Sequence, residues 1–152
     1  SHPDWGHTNF GSAGPDILTT YGSAPGIDVP EAGYYKVVVN TAELTYLMAK
    51  IDSWGVIGTA TPGSWDSSTP MEYDAATKTW SKTISLANGA LKFRANNGWD
   101  INYGPEDSEA YNGMLIQTDA AISIAEPASY TVTLDLLRSR SPYAYTYNVV
   151  KD

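Results

Sequence analysis

The stretch 91–104 carries the residue types best suited to binding chemistry. Apolar and polar residues alternate along its first half, and an Asn-Asn-Gly turn then leads to Trp99. If the apolar residues of this strand face a core, alternation places Lys92, Arg94 and Asn96 together on the opposite face. The pattern therefore predicts three polar donors on one surface, with an indole presented beside them.

A flat indole with fixed amide and cationic neighbours suits a sugar, whose C–H face packs on a ring while its hydroxyls form hydrogen bonds. Burying ~100 Å² of apolar contact supplies roughly 2.5 kcal/mol per ring. Trp65 is a second candidate platform, because it lies in a turn-rich loop without strand alternation. We predict that Trp65 and Trp99 stack on sugar rings and that Lys92, Arg94 and Asn96 donate to hydroxyls.

Structural roles are the alternative for these residues. Trp99 has a repeated counterpart at Trp5, which suits a core tryptophan as well as a binding one. Solvated strand positions, or pairing with Asp100, are the alternative for Lys92 and Arg94. Trp80 is predicted to be a core residue because it lies in phase with the apolar residues of its strand. Trp54, at a strand start, is predicted to pack in the core or against the linker.

Catalysis and metal binding find little support in the composition. The chain has no Cys and two His, at positions 2 and 7, so thiolate chemistry is excluded and no metal site or cofactor is predicted. A glycosidase needs two carboxylates held across a cleft, one of them protonated. The run 105–109 has the composition of a solvated acidic loop, and a sandwich of ~100 residues offers a shallow surface rather than a cleft, so we predict no enzyme. The carboxylates considered are Glu72, Asp74, Glu106, Asp107 and Glu109.

Charge and composition narrow the partners further. The 152 residues carry a formal net charge of -8 with scattered cations, which argues against nucleic acid. No apolar run approaches the ~20 residues of a membrane span. The chain is rich in ring residues with a polar handle, 11 Tyr and 5 Trp, and in turn-forming Gly and Pro.

Period-2 alternation recurs along the chain and predicts an all-β fold, most simply a β-sandwich of immunoglobulin-like type. It is clearest over 130–136, where apolar and polar residues take turns. Further strands are predicted at 35–39, 53–58, 80–86, 91–96 and 143–150. Turns are predicted at four Gly-containing pairs: Pro62-Gly63, Asn88-Gly89, Asn97-Gly98 and Asn112-Gly113.

An internal repeat sets the predicted domain organisation. Residues 27–40 align with 122–135, and shorter matches lie upstream, 5–11 with 99–104, and downstream, 44–46 with 145–147. The repeat predicts a complete module at 53–152 and only the C-terminal half of a preceding module at 1–52. An isolated half-sandwich would leave an apolar sheet face in water, so we expect it either to dock on the full module or to pair with another copy.

The second module resembles a known family, the SusE/SusF-type outer-membrane lipoproteins of gut Bacteroidetes. The resemblance spans nearly all of 53–152, and the half-module resembles the family more weakly. It is carried by these segments: Trp54-Gly55-Val56-Ile57-Gly58, Gly63-Ser64-Trp65-Asp66, Pro70-Met71-Glu72-Tyr73, Leu91-Lys92-Phe93-Arg94-Ala95-Asn96, Trp99-Asp100-Ile101-Asn102-Tyr103-Gly104 and Tyr130-Thr131-Val132-Thr133-Leu134-Asp135.

The resemblance implies a non-catalytic, cell-surface protein of tandem β-sandwich modules that holds starch or a related polysaccharide. It implies a lipid anchor upstream of residue 1 and an outer-membrane uptake complex as a partner. Family sites combine aromatic platforms with Lys, Arg or Asn donors, which agrees with the five residues chosen above. The half-module lacks the Lys-Phe-Arg strand, so Trp5 alone is not expected to form a site. The alternative is a structural or adhesion sandwich without a sugar site.

Overall fold

A computed structural model of the chain describes residues 6–107, 112–137 and 144–152. The prediction of an all-β fold is confirmed, because every regular element in these residues is a strand. They include no helix long and apolar enough to cross a membrane. The chain divides into two compact units, residues 1–52 and 53–152, called unit 1 and unit 2 below.

Unit 1 contains a four-stranded antiparallel sheet in the order β1-β2-β4-β3. Its longest pairing is the β3–β4 hairpin, which runs from Tyr35↔Lys50 to Asn40↔Thr45 and places β3 at one end of the sheet. Residues 45–50 form the second strand of this hairpin, and their Thr and Tyr residues favour that structure. The strands are β1 (Gly11–Gly14), β2 (Ile17–Thr19), β3 (Tyr35–Asn40) and β4 (Thr45–Lys50).

Unit 2 contains a larger antiparallel sheet in the order β6-β5-β9-β10-β11-β14-β13-β8-β7, with β12 paired to β9. The strands are β5 (Trp54–Ile57), β6 (Thr69–Pro70), β7 (Glu72–Asp74), β8 (Thr79–Leu86), β9 (Gly89–Ala95), β10 (Asn102–Pro105), β11 (Asn112–Ile116), β12 (Ile122–Ile124), β13 (Ala128–Asp135) and β14 (Tyr145–Lys151).

The sheet of unit 2 folds over on itself into a sandwich that is close to a barrel. Phe93 on β9 and Tyr147 on β14 are separated by two strands in the sheet order, yet their ring centres lie 6.2 Å apart. Between the layers lie fully buried apolar side chains, including Val56, Leu91 and Val132. Their alternation with polar residues in β13 is the pattern that predicted a strand with one buried face.

The structure confirms some of the predicted turns and contradicts one of them. Gly89 has a φ of +156° and begins β9 directly after β8, so the turn at Asn88-Gly89 is confirmed. In the turn after β9 the positive φ angles belong to Asn96 and Asn97 rather than to the following glycine. The turn predicted at Asn112-Gly113 is wrong, because these two residues begin β11 and pair with β14.

The sequence repeat is also present in the structure. The order β1-β2-β4-β3 of unit 1 matches β10-β11-β14-β13 of unit 2. In the β3–β4 hairpin Tyr35 is opposite Lys50, and in the β13–β14 hairpin Tyr130 is opposite Lys151. The two half-sheets therefore share both topology and register.

A small polar motif recurs with them. Each tyrosine hydroxyl donates to the carbonyl of a glutamate four residues earlier, Tyr35 to Glu31 at 3.0 Å and Tyr130 to Glu126 at 2.8 Å. The carboxylates of the same glutamates form ion pairs with the lysine opposite each tyrosine. The nitrogen–oxygen distance is 2.8 Å for Lys50 and Glu31 and 2.7 Å for Lys151 and Glu126. The predicted description of unit 1 as half of a preceding module stays a prediction, as does the immunoglobulin-like classification.

Candidate functional site

Two exposed tryptophans lie in contact on unit 2. The ring centres of Trp65 and Trp99 are 6.2 Å apart, and their planes are inclined by 43°. Trp65 is 38% exposed and Trp99 is 46% exposed, so neither indole belongs to the core. Exposed large aromatic rings that cluster are a feature of binding surfaces. We call these two residues the tryptophan pair.

Trp65 is held by a loop that is ordered by its own hydrogen bonds. The amide of Gly58 donates to the carbonyl of Ser64 at 3.0 Å, and the hydroxyl of Thr61 donates to the carbonyl of Gly58 at 2.9 Å. The amide of Asp66 donates to the carbonyl of Gly63 at 3.1 Å. The backbone amides of Thr61 and Ser64 also donate to the carbonyls of Gly58 and Thr61, which closes consecutive tight turns. The loop therefore presents the indole from a defined backbone.

Trp99 follows the turn that ends β9. Asn96 and Asn97 both adopt left-handed conformations, with φ of 51° and 55°, which asparagine tolerates better than most residues. The amide of Gly98 closes the turn on the carbonyl of Ala95 at 2.9 Å. The side-chain amide of Asn102 then donates to the carbonyl of Trp99 at 2.6 Å, which fixes the backbone under the indole.

Arg94 connects the two tryptophan-bearing segments. Its guanidinium carbon lies 4.9 Å from the centre of the Trp99 ring, within the range of a cation–π contact. Its Nε donates to the hydroxyl of Ser68 at 2.6 Å, close to the end of the loop that carries Trp65. The structure thus brings three of the five predicted site residues into direct contact: Trp65, Trp99 and Arg94.

The predicted solvent-facing row of donors is wrong. Lys92 is only 4% exposed and Arg94 only 6%, while Asn96 alone is exposed. Both faces of β9 are covered, since one packs on the core and the other lies beneath loop segments. Asn96 also lies beyond β9 in a left-handed conformation, so strand alternation no longer determines its direction.

Two glycines allow these segments to lie directly on the sheet. A Cβ on Gly55, which is opposite Arg94 in the register, would come within 2.6 Å of the Cβ of Ser68. A Cβ on Gly104 would collide with the backbone carbonyl of Ala120. The missing side chains therefore bring Ser68 within reach of Arg94, and they explain why the outer face of this sheet is buried.

Lys92 has a structural role. Its ammonium donates to the backbone carbonyl of Thr118, which follows β11. Burial lowers the pKa of Lys92 below its ordinary value of 10.5, and the nearby carboxylate of Asp119 partly opposes this shift. Its cation is therefore already used inside the protein. Asn96 is likewise engaged through its side-chain oxygen, which accepts from the amide of Ser53 at 3.2 Å.

The other tryptophans have different surroundings. Trp54 is buried, as predicted, and stacks on Tyr103 with 5.4 Å between ring centres. Trp80 is half-buried and contacts the exposed ring of Tyr73, with ring centres 5.2 Å apart, so it is less enclosed than predicted. Trp5, the repeated counterpart of Trp99, lies outside the described residues.

Two of the acidic residues considered for catalysis are engaged in local contacts. Glu72 accepts an ion pair from Lys82 at 3.0 Å. Asp74 caps a turn, and hydrogen bonding, chiefly from the amide of Ala76, lowers the pKa of its carboxyl below the ordinary value of 3.8. A proton donor in glycoside hydrolysis needs the opposite shift. Glu106 and Asp107 are exposed, and Glu109 lies outside the described residues.

A cavity of about 670 Å³ lies in unit 1 and does not involve the tryptophan pair. Its lining combines two exposed rings, Phe10 and Tyr21, with short polar and glycine-rich segments. Among residues 6–107, 112–137 and 144–152, no three His, Asp or Glu side chains converge in a way that could hold a metal ion.

Ser68 is the site residue that sequence reasoning missed. It lies in a Ser-Ser-Thr run that carries no distinctive signal, and its role depends on the close approach at Gly55.

Comparison with known proteins adds nothing to the assignment of this site, because no protein-family model matches the chain and no curated protein is significantly similar to it.

Proposed function

We propose that this protein binds a neutral polysaccharide, with α-glucan favoured, and that it does so without catalysis. The observation that carries the proposal is the tryptophan pair, two exposed indoles with ring centres 6.2 Å apart and Arg94 packed against one of them. Sugar rings present apolar C–H faces that pack on such platforms, while their hydroxyls need polar atoms at the edges.

The inclination of the two rings favours α-glucan over a flat glycan. Planes that meet at 43° form a bent platform rather than a continuous flat one. Successive glucose rings of an α-1,4-glucan turn as the chain coils, whereas those of a β-1,4-glucan form an extended ribbon. A coiled chain can therefore place neighbouring rings on both indoles, and a ribbon would meet one indole at a time.

The expected affinity is modest. Two rings at roughly 2.5 kcal/mol each, with some net hydrogen bonding and after association entropy, leave about -4 to -6 kcal/mol. This corresponds to a Kd between roughly 0.05 and 1 mM. Weak sites of this kind gain strength when several are linked. The net charge of -8 does not oppose the ligand, since a neutral sugar is not repelled.

The location and biological setting are proposed on the family resemblance rather than on the geometry. A SusE/SusF-type role would hold polysaccharide at the outer membrane and pass it toward an uptake complex. Shallow placement of the tryptophan pair is compatible with a long chain that extends past the site on both sides.

Titration with sugars tests the proposal directly. Maltoheptaose added to the protein is expected to change tryptophan fluorescence saturably in the high-micromolar to millimolar range, with cellohexaose weaker. Calorimetry on the same pair of sugars checks that the optical change reports binding. No response to maltoheptaose or to a broad glycan panel would overturn the proposal and leave a structural or adhesion sandwich. Reducing ends released from the sugar would instead indicate an enzyme.

A further inference from the structure

The sheet of unit 1 ends where the matching sheet of unit 2 continues. In unit 2, β13 pairs with β8 on the edge away from β14, over seven positions from Ala128↔Leu86 to Leu134↔Trp80. The matching strand of unit 1, β3, is the last strand of its sheet among the described residues. At the other end β10 pairs with β9, whereas the matching β1 is again a terminal strand.

In unit 2, two consecutive strands supply both of the neighbours that unit 1 lacks. β8 and β9 are consecutive strands, joined at Asn88-Gly89, and they cover the β13 end and the β10 end of the same half-sheet. A single segment of similar pattern would therefore cover both edges of unit 1.

The exposure of matching side chains shows the effect of the missing strands on unit 1. Val132 and Leu134 of β13 are both 0% exposed. Their repeat counterparts on β3, Val37 and Val39, are 54% and 50% exposed. One feature of β10 is present in β1 as well. A Cβ on Gly11 of β1 would meet the Cβ of Ala24 at 2.6 Å, just as a Cβ on Gly104 of β10 would meet the backbone of Ala120.

We propose that unit 1 is a docking surface for two consecutive strands of the β8–β9 type, supplied by a segment of the same polypeptide that precedes residue 1. β8 would be matched by a strand along β3, and β9 by a strand along β1. The segment would carry apolar side chains at alternate positions, as Ile84 and Leu86 do in β8. Docking would bury Val37 and Val39 and complete a second module.

A second copy of this chain is a poorer source of these two strands. Its own β8 is paired on both edges, with β7 and β13, and its β9 is paired with β5, β10 and β12. Donating β8 and β9 would require unit 2 to break those ladders and expose its core. A segment upstream in the same polypeptide needs no such opening, and its linkage raises its effective concentration.

Hydrogen exchange on two proteins tests the inference. The first is the chain of 152 residues, and the second is the polypeptide extended upstream of residue 1 through the residues its gene encodes there. Amide exchange at 35–40 and 11–14 is expected to slow by about 100-fold or more in the extended protein. Exchange at 128–135 should be equal in both, which reports that unit 2 is folded in each.

Two matched substitutions sharpen the test. Val39→Lys should abolish the added protection in the extended protein, because a charge on an edge strand disfavours pairing and burial. Val150→Lys, at a strand position of equal exposure (49%) in unit 2, should leave the protection intact. The proposal is overturned by equal exchange at 35–40 in the two proteins or by a gene that encodes no such segment. Concentration-dependent dimerisation of the 152-residue chain that protects 35–40 would also overturn it.

Discussion

Arg94 donates a hydrogen bond to Ser68 at 2.6 Å while its guanidinium faces the ring of Trp99. One buried side chain thereby links the loop of Trp65 to the turn of Trp99. The planar guanidinium can stack on an aromatic face and donate in its own plane at the same time, which an ammonium cannot do. Arg94 therefore positions the tryptophan pair from beneath, rather than projecting into solvent as a free donor.

Arg94→Lys is expected to weaken maltoheptaose binding by about 10-fold and to lower the free energy of unfolding by about 1–3 kcal/mol. Lysine keeps the charge but loses both the stacking plane and the Nε donor to Ser68. Fluorescence titration and urea denaturation measure the two effects. Lys82→Arg, at an exposed ion pair with Glu72, is the control and should change neither. Undiminished affinity in Arg94→Lys would show that the contact does not position the indoles.

Removal of either indole should affect binding more than folding. Trp65→Ala and Trp99→Ala are each expected to weaken maltoheptaose binding by about 10- to 50-fold, because each deletes one sugar platform. Both side chains are partly exposed, so circular dichroism should be unchanged. Tyr21→Ala removes an exposed ring of unit 1 and serves as the control. Full affinity in either tryptophan variant would place the sugar elsewhere.

Much of the fold follows from local pattern. Alternation along β13, β8 and β3 identifies these strands because one face of each is apolar in sequence. The short strands β1, β2 and β6 have no such signal, since two to four residues are too few to show a period. Asn112-Gly113 resembled a turn, but neighbouring strands decide its pairing, and it begins β11.

The site was predictable in part. The turn-rich loop around Trp65 indicates a surface position, whereas the repeated position of Trp99 suits surface and core equally. The burial of Lys92 and Arg94 could not be read from alternation, because the pattern does not reveal that chain segments cover the outer face of β9. That cover depends on close approaches at Gly55 and Gly104, which are contacts between residues distant in sequence.

Gly55→Ala should damage the site from beneath. A Cβ there would lie 2.6 Å from the Cβ of Ser68, so the loop must shift away from Arg94. We expect a loss of about 1–3 kcal/mol in the free energy of unfolding, together with weaker sugar binding. Gly98→Ala is the matched control, since its Cβ would meet nothing closer than 3.8 Å although it lies beside Trp99. Equal behaviour of the two variants would contradict the role given to the close packing.

Acid should destabilise the fold through two surface carboxylates. Hydrogen bonding from the ammonium of Lys151 lowers the pKa of Glu126 below 4.5, and a turn amide does the same for Asp74 below 3.8. Because each folded-state pKa is the lower one, the stabilisation is present above the unfolded value and is lost as pH falls through the folded value. Urea denaturation at stepped pH should therefore show the free energy of unfolding declining below about pH 4.5.

Asp74→Asn, which can still accept at the turn, should flatten part of that decline. Sugar affinity should stay constant between about pH 5 and pH 9, because a neutral sugar carries no ionisable group and the indole side chains do not titrate in this range. A titration in that interval would contradict a neutral-sugar site built on Trp65, Trp99 and Arg94.

The repeated tyrosine motif offers a comparison within one chain. Tyr130 is buried, and its hydroxyl donates to the carbonyl of Glu126, so Tyr130→Phe leaves that acceptor without this donor. We expect a loss of about 1–2 kcal/mol in the free energy of unfolding. Tyr35 is half-buried, but its bond to Glu31 is exposed, so water replaces the donor in Tyr35→Phe and the loss should be less than about 0.5 kcal/mol. Urea denaturation of both variants measures the difference, and equal losses would mean that the motif contributes independently of burial.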